Sequence, residues 1–199
     1  LHVATASFFG PIGPTGETCA IKSDHTLWCW GFDPVTSTEH TAPIQLGTDA
    51  DWATVVVAQN TVCAIKQNGS LHCRGNFIGD GTATPSPALV RVGPAVLNWK
   101  AISVGNETCG VRGDGTLWCW ANDLGSALGD GSTGIGDPVT LSPPPALSPT
   151  QIGTDADWAT VSSQPGGISC ATRTNGSLWC WGFGAAIIPH YRGTPILFN

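Results

Sequence analysis

Cys19 and Cys29, Cys63 and Cys73, Cys109 and Cys119, and Cys170 and Cys180 form four pairs, each with its members ten positions apart. Cysteine at a regular spacing can attack as a thiolate, hold a metal or close a disulfide. The segments around the pairs align without gaps as TCAIKSDHTLWCWG, VCAIKQNGSLHCRG, TCGVRGDGTLWCWA and SCATRTNGSLWCWG. In the second, Gln67-Asn68-Gly69 suits a three-residue hairpin loop, a type I turn with Gly in the left-handed position. That register sets Lys66 opposite Ser70, Ile65 opposite Leu71 and Cys63 opposite Cys73. Opposed positions on antiparallel strands have α-carbons about 4.5–5.5 Å apart, inside the roughly 4.4–6.8 Å that a disulfide spans. Zinc would need four converging ligands, and the nearest second pair lies in another repeat. Four bridges are therefore expected, Cys19–Cys29, Cys63–Cys73, Cys109–Cys119 and Cys170–Cys180. They leave no thiol for catalysis and imply an oxidising compartment, extracellular or at the cell surface.

Other chemistry finds little support. The histidines His2, His25, His40, His72 and His190 hold unrelated repeat positions and show no two-ligand spacing. Asp49 and Asp51, Asp155 and Asp157, Asp130 and Asp137 fall in turns, where Asp bonds nearby amides. None completes the roughly six to eight oxygens that calcium needs. No serine sits in a nucleophile elbow. The glycines between Gly129 and Gly136 lack the following Lys and the strand-to-helix setting of a phosphate loop. Neither metal, cofactor nor enzymatic activity is expected. Asn68, Asn106 and Asn175 each open an N-glycosylation sequon.

These cysteines need strands to hold them. The chain carries 26 Gly and 15 Pro, 41% apolar residues and 11% charged ones, a composition of many short strands and turns. Within each hairpin one face carries the cysteines with Ile65 and Leu71. The other carries Trp28, His72, Trp118 or Trp179 and, two residues on, Trp30, Arg74, Trp120 or Trp181. A hairpin apolar on both faces belongs in a stack of sheets. Before three hairpins stand PIQLGTDADWATV, PALVRVGPAVLNWKAI and PTQIGTDADWATV, a strand opened by Pro, a turn, and a strand opened by Trp. The repeat is thus four short strands, with approximate limits 1–42, 43–86, 87–148 and 149–199. The last strand, 195–199, lacks a following Trp strand, and Val3–Ser7 resembles Trp158–Ser162. The C-terminal strand is therefore expected to complete an N-terminal blade, in its own chain as a closed ring or in a neighbour as a polymer.

The hairpin TCAIK…LWCWG, followed by Asn122-Asp123-Leu124 and Leu128-Gly129-Asp130-Gly131-Ser132 and echoed by Ile78-Gly79-Asp80-Gly81-Thr82, resembles the repeats of the regulator of chromosome condensation family. It looks most like the cysteine-bearing versions of secreted bacterial proteins. The resemblance covers nearly the whole chain and implies an all-β propeller of four-stranded blades, seven in the usual family member. The first and fourth repeats depart from it, with Gly31-Phe32 and Gly182-Phe183 replacing the Leu-Gly-Asp-Gly element. The founding member's nucleotide exchange and chromatin docking are not carried over to so acidic a chain.

The net charge is −6, with eight scattered Lys and Arg. Binding to nucleic acid needs a cationic stripe that is missing here. No apolar run approaches the length of a membrane span. The chain has no Met and opens at Leu1 without a signal-peptide pattern, as expected of a mature form or an excised piece. The nine Trp recur at fixed repeat positions, which marks packing. Positions that break the repeat, Phe32, His72, Arg74, Phe183, His190, Tyr191 and Arg192, are the candidates for ligand contact. The expected function is a non-enzymatic extracellular structural or adhesive protein. Its expected partner is itself, by strand complementation, or a surface glycan or protein. A lectin-like binding module is the alternative.

Overall fold

A computed structural model describes residues 2–10, 13–58, 60–93, 98–121, 128–131, 145–182 and 192–198. They form four antiparallel sheets of four strands each, every one a simple meander. The first holds β1 (His2–Gly10), β2 (Gly13–Ile21), β3 (Leu27–Asp33) and β4 (Thr38–Gln45), the second β5 (Trp52–Ala58), β6 (Thr61–Lys66), β7 (Leu71–Gly75) and β8 (Ser86–Arg91). The third holds β9 (Trp99–Val104), β10 (Glu107–Arg112), β11 (Leu117–Ala121) and β12 (Ala146–Gln151), the fourth β13 (Trp158–Gln164), β14 (Ile168–Arg173), β15 (Leu178–Gly182) and β16 (Arg192–Phe198). The sheets group into two compact units, residues 1–97 and 98–199, each with two blades.

The hairpin register is the expected one. Cys63 faces Cys73, Ile65 faces Leu71, and Lys66 N donates to Ser70 O at 2.9 Å. Gly69 holds the left-handed turn position at φ 79°, as do Gly115 and Gly176, with His25 in the same slot at φ 63°. All four disulfides form between opposed cysteines whose α-carbons lie 4.1 Å apart. Seven of the eight cysteines are buried, and Cys170 is half-buried. Cys19, Leu27, Val55 and Trp52 meet in one core of the first unit, and Cys109, Leu117, Ile152 and Trp158 in one of the second. Each fully buried Leu or Ile side chain contributes about 1.5–3 kcal/mol.

The expected repeat frame needs correction. Each Pro-bearing strand closes the blade before it, and none opens the next. β4, β8, β12 and β16 pair with the second cysteine strand of their own hairpin. The limits at 42, 86 and 148 therefore cut through the ends of blades. β16 bonds to β15 in the fourth sheet and β1 begins a four-stranded sheet of its own, so within the chain the C-terminal strand does not complete the N-terminal blade. The connection between blades is the turn after the Pro strand. There Gly47, Gly93 and Gly153 take φ of 76°, 71° and 65°, and Leu46, Val92 and Ile152 each bond back to the leucine that opens the hairpin's second strand. A meander neighbour is reached through a short loop at little entropic cost, and so wins the pairing.

Candidate functional site

A cation ends the first strand of every cysteine hairpin: Lys22, Lys66, Arg112 and Arg173. Its position facing the Trp column brings charge over aromatic rings. Lys22 lies 3.4 Å from the Trp28 ring centre, Arg112 3.8 Å from Trp118 and 4.9 Å from Trp99, and Arg173 4.3 Å from Trp179 and 4.7 Å from Trp158. Lys66 sits 5.0 Å from Trp52, and His72, in the Trp column, meets Trp52 edge-on at 5.5 Å. Such contacts are worth about 0.5–2 kcal/mol, more where water is excluded.

The turns fix the rings. Trp28 Nε1 donates to Thr26 Oγ1 at 2.8 Å, and that hydroxyl donates to Asp24 Oδ1 at 2.6 Å. Trp118, Thr116 and Asp114 repeat the relay at 2.8 and 2.6 Å, and Trp179, Ser177 and Asn175 at 3.0 and 2.7 Å. The hydroxyl and amide of Thr26 hold the Asp24 carboxyl below its ordinary range, and those of Thr116 do the same for Asp114.

In two blades the cation is also clamped by acid. Lys66 Nζ reaches Asp49 at 2.9 Å and Asp51 at 3.0 Å. Arg173 pairs with Asp155 and lies 3.5 Å from Asp157. Burial pushes the Lys66 ammonium down, but the two carboxylates outweigh it and raise it above its ordinary value. The Asp-Ala-Asp loops therefore do more than form turns. They strap the loop between blades to the cation of the next blade.

Beside each clamp lies an open groove. In the second blade it has a volume of about 420 Å³, bounded by Leu46, Asp49, Trp52 and Leu89. In the fourth it has about 270 Å³, bounded by the corresponding Ile152, Asp155, Trp158 and Pro195, together with Asp130 and Trp179.

Arg74 does something different. It is 4% exposed and reaches into the preceding blade, donating to Asp33 Oδ2 at 2.7 Å and to Glu17. Burial pushes the Glu17 carboxyl up despite Arg74, and the neighbouring Asp33 adds to the rise. At Asp33 burial also pushes upward, but hydrogen bonds from Arg74, Val35 N and Thr36 N hold it below its ordinary value. The second unit uses Glu107, which is fully buried and accepts from Ser169 of the following blade.

This blade geometry has known counterparts. Human WBSCR16 matches it with a TM-score of 0.75 at 13% identity, over 92% of this chain and 49% of its own. Prp20p from Saccharomyces cerevisiae, reported together with its binding to Gsp1p and histones, matches with 0.74 at 15% identity over 92% and 48%. The repeats have the fold of regulator of chromosome condensation blades. The chain spans about half the length of these solved structures. No protein-family model matches the sequence, and no curated protein does.

Set in chromosome condensation-type blades, the candidate residues separate. Arg74 is interior and makes an inter-blade contact. His72 and Phe32 are half-buried, His72 within the cation–aromatic stack and Phe32 in β3 opposite Glu39. Phe183, His190 and Tyr191 lie outside the described residues, as does the Arg192 side chain, whose backbone opens β16. Asn68 and Asn175 are exposed on hairpin turns, and Asn106 is half-buried between β9 and β10. Glu17 lies near the sulfurs of Cys19 and Cys29, but these are bonded to one another and offer no ligand set. The cation column was visible in the aligned hairpins as K, K, R and R, three positions after the first cysteine. Its full setting depends on the inner-strand Trp rings and carboxylates outside that segment.

Proposed function

We propose that this chain is a non-enzymatic, extracellular binding module that acts by surface contact, including contact with further copies of itself. One disulfide in the hairpin of each blade supports the compartment, because a fold locked in this way is kept where thiols stay oxidised. The observation that carries the contact reading is the outermost strands. β4 is exposed along almost its whole length and displays Ile44, 41% exposed, and β16 displays Leu197, 44% exposed. Prolines 43 and 195 in these strands each remove a backbone donor from the edge. Association therefore runs through side chains, and not through the shared sheet that strand complementation requires.

Light scattering on the oxidised protein tests this. Concentration-dependent association that Ile44→Lys together with Leu197→Lys abolishes would support it. A protein monomeric at all concentrations and inert toward surfaces would overturn it.

The two matching grooves favour a second reading, a lectin-like or peptide-binding module. Ligand-induced quenching of tryptophan fluorescence in the monomeric Lys variant would move the function there.

A further inference from the structure

The four blades serve as internal controls for one another, and the third departs from the second and fourth at one slot. The residues three before and one before the inner-strand Trp supply the clamp, Asp49 and Asp51 before Trp52 and Asp155 and Asp157 before Trp158. Before Trp99 the same places hold Val96 and Asn98, and no residue from 93 to 98 has a carboxylate. The alignment is structural as well as sequential. Asp51 O accepts from Gln67 N at 2.8 Å, Asp157 O from Thr174 N at 2.8 Å, and Asn98 O from Gly113 N at 2.7 Å.

The cation is nevertheless kept. Arg112 stacks on Trp118 and Trp99 as its counterparts do. Among the described residues it has no ion pair, and its Nε is buried without a hydrogen-bond partner. Asp114, the nearest acid on its own hairpin, is turned to the amide and hydroxyl of Thr116 at 3.0 and 2.6 Å. Burial lowers the Arg112 guanidinium from its ordinary value, and Asp114 only partly offsets this. Asn98 is exposed, and the carboxylates in the corresponding places of blades two and four are about half-exposed. Gln151, the register partner of Trp118 on β12, is exposed beside it and shares its face of the sheet.

We infer that Arg112, with Trp99 and Trp118, is a receptor site for an aspartate side chain of a partner protein, presented on an acidic Asp-x-Asp segment as blades two and four present their own. A cation paired with carboxylate is what blades two and four have and this slot lacks, and the planar guanidinium of Arg112 suits a carboxylate partner. The inference deepens the binding reading above, and it is separable from self-association because it needs no second copy.

The probe is the peptide acetyl-Gly-Thr-Asp-Ala-Asp-amide, titrated into the full oxidised chain while the indole N–H resonance of Trp118 is followed. Saturable movement is expected, with none from the Gly-Thr-Asn-Ala-Asn counterpart. Arg112→Gln should weaken binding at least tenfold. Asn98→Asp should do the same by filling the slot from within, and it leaves Arg112 and the fold intact. No saturable shift, an equal response to the Asn peptide, or unchanged binding by Asn98→Asp would overturn the inference. Tighter binding of trigalacturonate than of the peptide would overturn the peptide assignment in favour of an acidic glycan. Loss of the site with light-scattering association preserved would refute this inference alone.

Discussion

Arg74 Nη1 lies 2.7 Å from Asp33 Oδ2, a contact that joins one blade to the next across 41 residues of sequence. With Glu17 it makes a buried triad of two acids and one base. Removing the base strands two carboxylates in the interior, whereas replacing a whole buried network can be neutral. Arg74→Met is expected to destabilise the fold by about 3–5 kcal/mol in chemical denaturation. Adding Glu17→Gln and Asp33→Asn should recover a large part of that loss. Equal stability of the single variant and the parent would refute the inter-blade role.

His72 sets a pH dependence. Burial, with Lys66 and Arg91 nearby, lowers its folded pKa below the ordinary 6.5, against a smaller opposing effect of Asp49. The folded state then binds fewer protons than the unfolded one, so stability is complete above about 6.5 and declines as pH falls toward the folded value. His72→Trp, which restores the residue of the other blades, should remove that decline from a melting-temperature profile between pH 7 and 5.

Each disulfide closes a loop with a sequence separation of ten, which the chain-entropy model values at roughly 3 kcal/mol. Cys63→Ala with Cys73→Ala should lower stability by about that amount, and reductant should lower the parent's melting temperature sharply. A melting temperature unchanged after complete reduction, with free thiols counted, would remove the argument for an oxidising compartment.

Gly75 has φ 111°, and a Cβ there would stand 1.9 Å from Asn60 O. Gly31 and Gly182 meet Gly16 O and Gly167 O in the same way, at 2.1 and 2.0 Å. Gly75→Ala must carry backbone strain and displace a main-chain carbonyl as well. A loss of about 3 kcal/mol or more is expected in denaturant titration.

What was legible in the sequence is what is local. The hairpin at Gln67-Asn68-Gly69, the pairing of Cys63 with Cys73 and the two apolar faces all follow from residues within one repeat. The blade frame was misread because Pro43 and Trp52 recur as one block, although the intervening Gly47 turn carries the chain from one sheet to the next. In the sequence Arg74 stands out only as a break in the repeat and a candidate for ligand contact, because its partners stand in another blade. Asp49 and Asp51 read as turn formers because Lys66, their counter-ion, follows the next strand. In each case the missing information was a hydrogen-bond partner or counter-charge brought in by packing, which no local pattern encodes.

The position of the disulfides also governs how the chain would respond to tension. Each bridge joins the two strands of a single hairpin and crosses between no two blades. Pulled from its ends, an oxidised blade would release its outer strands and stop at the bridge, leaving about ten residues unextended. At about 3.3–3.6 Å per residue that withholds roughly 35 Å of contour length per blade. No bridge limits the separation of one blade from the next, because nothing covalent but the backbone links them. The full reach of the stretched chain would thus be set by the redox state around it.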